Sequence, residues 1–124
     1  MEITPEIPHG RQVIESYGPG RFRISGAMHA GSVIVFPERT LAWPVSDMAA
    51  LSEDSLAEVL AAEPSVEILL IGCGPRLQPI SGALRNRLRA GGVGCDAMDT
   101  GAACRTYNVL LAEARRVAAA LIAL

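Results

Sequence analysis

The sequence contains no lysine, and all eleven of its basic residues are arginine. Against thirteen acidic residues this leaves a formal charge of −2. A general nucleic-acid binder carries a basic patch and a high isoelectric point, so that class is excluded. The absence of lysine, together with much alanine and glycine, is the signature of a high-GC genome rather than of a function. Aromatic residues make up only 4% of the chain, too few for a base-stacking platform. The three cysteines, Cys73, Cys95 and Cys104, are an odd number without metal-type spacing. They predict a reducing compartment with no structural disulfide and no metal site. The only histidines are His9 and His29. No paired carboxylates, Ser/His/Asp set or His-Glu-x-x-His motif is recognisable, so no catalytic residue is assigned. No dinucleotide fingerprint or phosphate-loop motif is present either, and no cofactor is expected. No apolar run reaches the ~18–20 residues of a membrane span. Val117 to Leu124 is wholly apolar, but Glu113, Arg115 and Arg116 interrupt the pattern before it. The opening residues Met1 to Glu6 are acidic and broken by Pro5, unlike a targeting segment, which predicts a cytoplasmic protein.

What is present is a chain of 124 residues, half of them hydrophobic, enough for one domain with a core. Residues 1–10 read as an irregular arm and 11–124 as a single α/β domain. Gln12 to Ser25 reads as two strands joined by Gly18-Pro19-Gly20, a turn in which proline presets φ and glycine accepts φ > 0. Phe22 and Ile24 alternate with Arg21, Arg23 and Ser25, the period of a half-buried strand. Ser32–Phe36 and Thr40–Trp43 read as two further strands. A first helix is expected from Ser52, capped by its hydroxyl, with Leu56, Val59 and Leu60 inward and Pro64 as its end. Glu67–Ile71 is apolar enough to be a strand covered on both faces. A second helix follows from about Ser81 to Ala90, stopped by Gly91-Gly92. Val93–Met98 is read as the last strand, buried and parallel to Glu67–Ile71. A third helix is expected from about Thr106 to Leu121, with Leu110, Ala114, Val117, Ala118 and Leu121 on one stripe. The predicted order is ββββ-α-β-α-β-α, an antiparallel first third followed by parallel crossovers.

Ligands in open α/β sheets bind beyond the carboxyl ends of the strands. Two such exits carry the candidate residues. The first is Gly72-Cys73-Gly74-Pro75-Arg76. Its glycines can bring backbone N–H groups to an anion and Arg76 can add donors; equally, it is a tight turn that needs φ > 0. The second runs from Asp99 to Asn108. Here Thr100 or Thr106 can cap the third helix, whose free N–H groups attract an anion; equally, this is capping alone, with Tyr107 packed on its ring. Cys104 stands beside Arg105 near a helix start, a setting that can activate a thiol, yet no base is at hand. The candidate ligand residues are Gly72, Gly74, Arg76, Asp99, Thr100, Cys104, Arg105, Thr106 and Asn108.

In order and spacing, the chain resembles a known family of small α/β proteins. It includes mitochondrial NADH:ubiquinone oxidoreductase (complex I) assembly factor three and many bacterial and archaeal relatives. The resemblance rests on Ser16-Tyr17-Gly18-Pro19-Gly20-Arg21-Phe22-Arg23-Ile24-Ser25-Gly26, on Gly31-Ser32, Pro37 and Trp43, and on Glu67 through Arg76. It continues through Met98-Asp99-Thr100-Gly101-Ala102-Ala103-Cys104-Arg105-Thr106-Tyr107-Asn108 into Val109-Leu110-Leu111 and Glu113, and covers about residues 11–122. It implies a three-layer fold, a central mixed β-sheet with helices on both faces, and no agreed enzymatic activity. It also implies a protein-binding role in building a respiratory complex, with a complex subunit or a second assembly factor as partner, at or peripheral to a bacterial inner membrane. The alternative is a small-anion or small-ligand enzyme using the two strand-end loops. Uncovered strand edges and the apolar tail further predict a two-fold homodimer.

Overall fold

The structure, a computed structural model, describes residues 10–124. The expected N-terminal arm therefore lies outside the described residues, apart from Gly10. The chain then folds into a small antiparallel sheet of order β1-β2-β3: β1 (Ile14–Gly18), β2 (Arg21–Ile24) and β3 (Ala27–Ala30). Gly18-Pro19-Gly20 makes the first turn, as expected. The second turn is Ser25-Gly26, both at positive φ (46° and 85°), between the paired residues Ile24 and Ala27. Such a two-residue turn matches the twist of the flanking strands. Phe22 and Ile24 are buried and their neighbours exposed, the alternation seen in the sequence. Strand β3 was not expected. Ala27, Met28 and Ala30 are all exposed, so no alternation marks it.

The main sheet has five strands in the order β5-β4-β8-β6-β7. They are β4 (Val33–Val35), β5 (Thr40–Ala42), β6 (Ile68–Gly72), β7 (Gly94–Met98) and β8 (Val117–Leu121). Strands β6, β7 and β8 run parallel, while β4 is antiparallel to both β8 and β5. Glu67–Ile71 and Val93–Met98 were expected to be parallel, and they pair directly. They are not both buried: β7 is an edge strand, with Gly94 and Asp96 exposed. Its missing neighbour is replaced in part by Arg85, whose Nη1 donates to the Cys95 carbonyl at 2.8 Å.

Strand β8 corrects the largest expectation. The third helix, α3, spans Thr100–Ala112 and not Thr106–Leu121. Alanine favours helix when packing does not decide, and Val117-Ala118-Ala119-Ala120-Leu121 reads on locally as a continuation. Burial decides otherwise. As the central strand, β8 satisfies its backbone against β4 on one side and β6 on the other. The helix ends with Ala114 at φ 59°. There the Ala114 N–H donates to the Leu111 carbonyl and the Arg115 N–H to the Leu110 carbonyl, each at 3.0 Å. These two bonds form a Schellman stop, with alanine where glycine is usual.

Right-handed crossovers running in opposite directions must lie on opposite faces. The connection β6-α2-β7 moves outward to the edge, and β7-α3-β8 returns across β6. Helix α2 (Gly82–Ala90) packs beside β7 and places Leu88 in the core on one face, which also holds Leu69, Ile71, Ala118 and Ala120. The short helix α1 (Ala57–Leu60) adds Val59 there. Helix α3 packs Ala103, Cys104, Tyr107 and Leu111 on the other face, against Leu70, Val117, Ala119 and Leu121. Phe22 and Ile24 of the small sheet join that second face. The result is a three-layer α/β fold with helices on both faces of a mixed sheet. The expected Ser52 hydroxyl bond forms, accepting from the Ser55 N–H, and α2 is capped by Ser81, which accepts from the Leu84 N–H. The segment after Ser52 is a 3₁₀ turn at Asp54–Leu56 leading into α1, rather than one longer helix.

Candidate functional site

The reversal of crossover direction falls between β6 and β7, so the loops after these strands meet at one end of the sheet. The expected exits, Gly72 to Arg76 and Asp99 onward, therefore share a neighbourhood. What they build there is a fastening. Thr100 is fully buried. Its Oγ1 accepts from the Gly74 N–H at 2.9 Å and donates to the Ile122 carbonyl at 2.8 Å. The Thr100 N–H returns a bond to the Gly74 carbonyl at 2.9 Å. One side chain thus ties the ends of β6 and β8 to the start of α3. Gly72 permits this approach: a Cβ there would stand 3.0 Å from the Leu121 side chain and from Thr100. Gly74 sits at φ 94°, a conformation that favours glycine.

The cap of α3 is Asp99, neither Thr106 nor Thr100; its carboxylate accepts from the Ala102 N–H at 2.9 Å. That bond satisfies a donor an anion would otherwise attract. Thr106 lies half-buried inside the helix. Asn108 clamps β1 from the side: its Nδ2 donates to the Ile14 carbonyl at 2.8 Å and its Oδ1 accepts from the Ile14 N–H at 3.0 Å. This exchange mimics a strand neighbour. Tyr107 is buried and donates from its hydroxyl to the Gln12 carbonyl at 3.0 Å.

Cys104 is 2% exposed. Burial pushes its thiol up to about 12, against a smaller opposing pull from Arg105. The thiol is therefore neutral at physiological pH, and an activated nucleophile needs the thiolate. Cys95, half-buried, is likewise raised, chiefly by burial. All three cysteines are free.

Exposed at this end are the loop Pro75 to Pro79, with Arg76 and Leu77, and the pair Arg105–Tyr17, in which the Arg105 Nη1 donates to the Tyr17 hydroxyl at 3.0 Å. Tyr17 and Gly101 belong to the stretches that carry the family resemblance but were not among the candidate ligand residues. A Cβ on Gly101 would lie 2.5 Å from the Tyr17 oxygen, so only glycine admits the ring over the first turn of α3. The available signal was the glycine itself, which costs about 1 kcal/mol inside a helix and therefore asks for a packing reason.

A cavity lies elsewhere. About 200 Å³ in volume, it is bounded by Phe36–Arg39, Ala62–Val66, Leu111 and Ala114–Val117, at the amino ends of β6 and β8.

These features define a three-layer α/β domain whose strand-end loops are tied together by Thr100 and capped by Asp99. The profile of the family described as "Protein of unknown function (DUF498/DUF598)" matches residues 14–122, and the chain belongs to that family. An uncharacterized protein of Rhodobacter capsulatus is 40% identical over 113 residues, covering 91% of this chain and 86% of that protein. The NADH dehydrogenase [ubiquinone] 1 alpha subcomplex assembly factor 3 of Danio rerio is 36% identical over 110 residues. That match covers 89% of this chain but only 63% of the fish protein, so this chain spans under two thirds of it. Among solved structures, a Bordetella pertussis protein described as a Mth938-like domain superposes with a TM-score of 0.82 at 27% identity, covering 99% of this chain and 92% of that one. The family resemblance and the fold read from the sequence therefore both hold. Among the described residues, no helix is long and apolar enough to cross a membrane.

Proposed function

We propose that this chain is a non-enzymatic protein-binding domain that acts in assembling a bacterial respiratory NADH dehydrogenase, at the cytoplasmic side of the inner membrane. The observation that carries this reading is its 36% identity, across 89% of its length, to an assembly factor of the corresponding mitochondrial complex. The strand-end loops support it in a second way. The polar side chains of Asp99, Thr100 and Asn108 bond within the chain, while Arg76, Leu77, Tyr17 and Arg105 are exposed. Exposed aromatic, aliphatic and arginine side chains suit a partner surface. Of the expected ligand residues, Arg76 and Arg105 contact the partner in this reading, and Gly72, Gly74, Asp99, Thr100, Cys104, Thr106 and Asn108 shape the support beneath them. The partner is a subunit of the complex or a second assembly factor, and the domain acts as a two-fold dimer.

The deciding experiment is deletion of the gene in its own bacterium, with complex I quantified by native gel and by NADH-dependent respiration. Loss of the assembled complex is expected, with rescue by the parent and weaker rescue by a Tyr17→Ala/Leu77→Asp variant. Unchanged complex levels would overturn the assembly role. Stabilisation by phosphate or nucleotide of about 2.7 kcal/mol at a hundred times the dissociation constant would move the reading to an anion-binding enzyme at these loops.

A further inference from the structure

The cavity at the amino ends of β6 and β8 has a composition the strand-end loops lack. Its floor is apolar and fixed: Phe36, Val66, Leu111 and Val117 are all buried. Its mouth is charged and exposed, with four arginines and two glutamates among the lining residues. Arg11 is matched to Glu38 at 2.7 Å, and Arg116 to Glu67 at 3.0 Å. Arg39 and Arg115 have no carboxylate partner among the described residues. They reach the mouth from two different segments, the turn between β4 and β5 and the turn between α3 and β8. Arg39 is held in place: its guanidinium stacks 4.4 Å above the Phe36 ring, and its carbonyl accepts from the Phe36 N–H at 2.7 Å. Glu63 is the remaining lining carboxylate. Among the described residues, two unmatched cations against one unmatched carboxylate leave a single positive charge above an apolar floor.

We infer that this cavity binds a small amphipathic monoanion: one apolar group, the size of a large side chain, carrying a carboxylate that meets Arg39 and Arg115. Volume limits the apolar part. About 200 Å³ lies below the ~300–1,000 Å³ of sites that enclose drug-sized ligands, and admits one ring or one branched chain. Charge selects the head group. Arginine forks pair bidentately with carboxylates, and a dianion would meet Glu38 and Glu63 with one charge too many. Two sources present this chemistry, a free carboxylic acid and the terminal residue of a polypeptide. The site lies at the other end of the sheet from the partner surface proposed above and does not depend on it.

The test is a titration of the ¹⁵N-labelled chain followed by amide shifts. The probes are 3-phenylpropionate, its neutral isostere 3-phenylpropanamide, and N-acetyl-glycyl-phenylalanine. Saturable shifts are expected at Phe36, Val66, Leu111 and Val117 with the acid, and about tenfold weaker binding of the amide. Arg39→Gln/Arg115→Gln should weaken the acid by about tenfold and leave the amide unchanged. Equal binding of acid and amide, shifts confined to other residues, or no shift at about 20 mM acid each overturn the inference. A peptide that binds better than the acid supports the site and identifies a polypeptide terminus as the source. Equal binding of peptide and acid supports it with free acids as the source. The arginine variants leave Tyr17 and Leu77 intact, so failure here is separable from failure of the assembly role.

Discussion

Thr100 and Gly74 exchange two hydrogen bonds across the end of the sheet: the Gly74 N–H donates to the Thr100 hydroxyl and the Thr100 N–H to the Gly74 carbonyl, each at 2.9 Å. The same hydroxyl donates to Ile122. Thr100→Val keeps the shape and strands two buried backbone groups. Each such group costs about 1–3 kcal/mol, so a loss of about 2–6 kcal/mol is expected in urea unfolding. Thr100→Ser, which loses only a methyl, should cost about 1 kcal/mol. Equal stability of the two variants would show that the bonds contribute nothing.

The Asn108 clamp on Ile14 predicts a local effect. Asn108→Ala should destabilise by about 1–2 kcal/mol. Hydrogen exchange should accelerate in β1 and β2 well before it does in β6 and β8. Uniform acceleration across both sheets would mean that the small sheet is not held independently by this side chain.

Ala114 stands at φ 59°, where a Cβ costs roughly 1–2 kcal/mol. Glycine removes that cost but gives the unfolded chain more freedom, about 0.4–1 kcal/mol. Ala114→Gly should therefore stabilise the domain by about 0.5–1 kcal/mol, read as a higher urea midpoint with an unchanged slope. A lower midpoint would contradict the left-handed stop.

The raised thiol of Cys104 sets an alkaline limit. In the unfolded chain it ionises near its ordinary 9.0, and in the folded chain only near about 12. The folded state therefore holds more protons across that window, and stability falls as pH rises through it, by about 1.4 kcal/mol per pH unit. Burial raises Tyr107 above its ordinary 10.0 as well, which steepens the fall above that pH. Below pH 8 no such slope is expected from either group. Cys104 should resist iodoacetamide at pH 8 in the native protein and react once unfolded; rapid native labelling would refute the buried neutral thiol. Cys104→Ser should leave partner binding unchanged, since no base accompanies the thiol.

Much of the fold was legible because its signals are local. The alternation of Phe22 and Ile24, the apolar run Ile68–Ile71 and the Gly18-Pro19-Gly20 turn each depend on neighbours in sequence. What escaped depends on distant contacts. Strand β3 has no buried stripe, and β8 is an alanine-rich segment made into a strand only by two partners far along the chain. The stop before β8 was hidden because Ala114 occupies the glycine position. Both strand exits do meet as expected, but whether Thr100 and Asn108 face a ligand or the chain itself is not written in their identity. The cavity was invisible because its walls come from separate segments, around residues 36–39, 62–66 and 111–117.

Strand β8 also bears on how the protein is born. Hairpin β4–β5 and pair β6–β7 share no backbone bonds; each meets the other only through β8. During translation the sheet therefore waits in two unjoined pieces, with the inner edges of β4 and β6 open, until residue 121 has left the ribosome. Those edges are the sticky ones, and an N-to-C synthesis of several residues per second leaves them uncovered for seconds. A chain clipped before β8 keeps the inner edges of β4 and β6 unpaired, and such edges favour aggregation over folding.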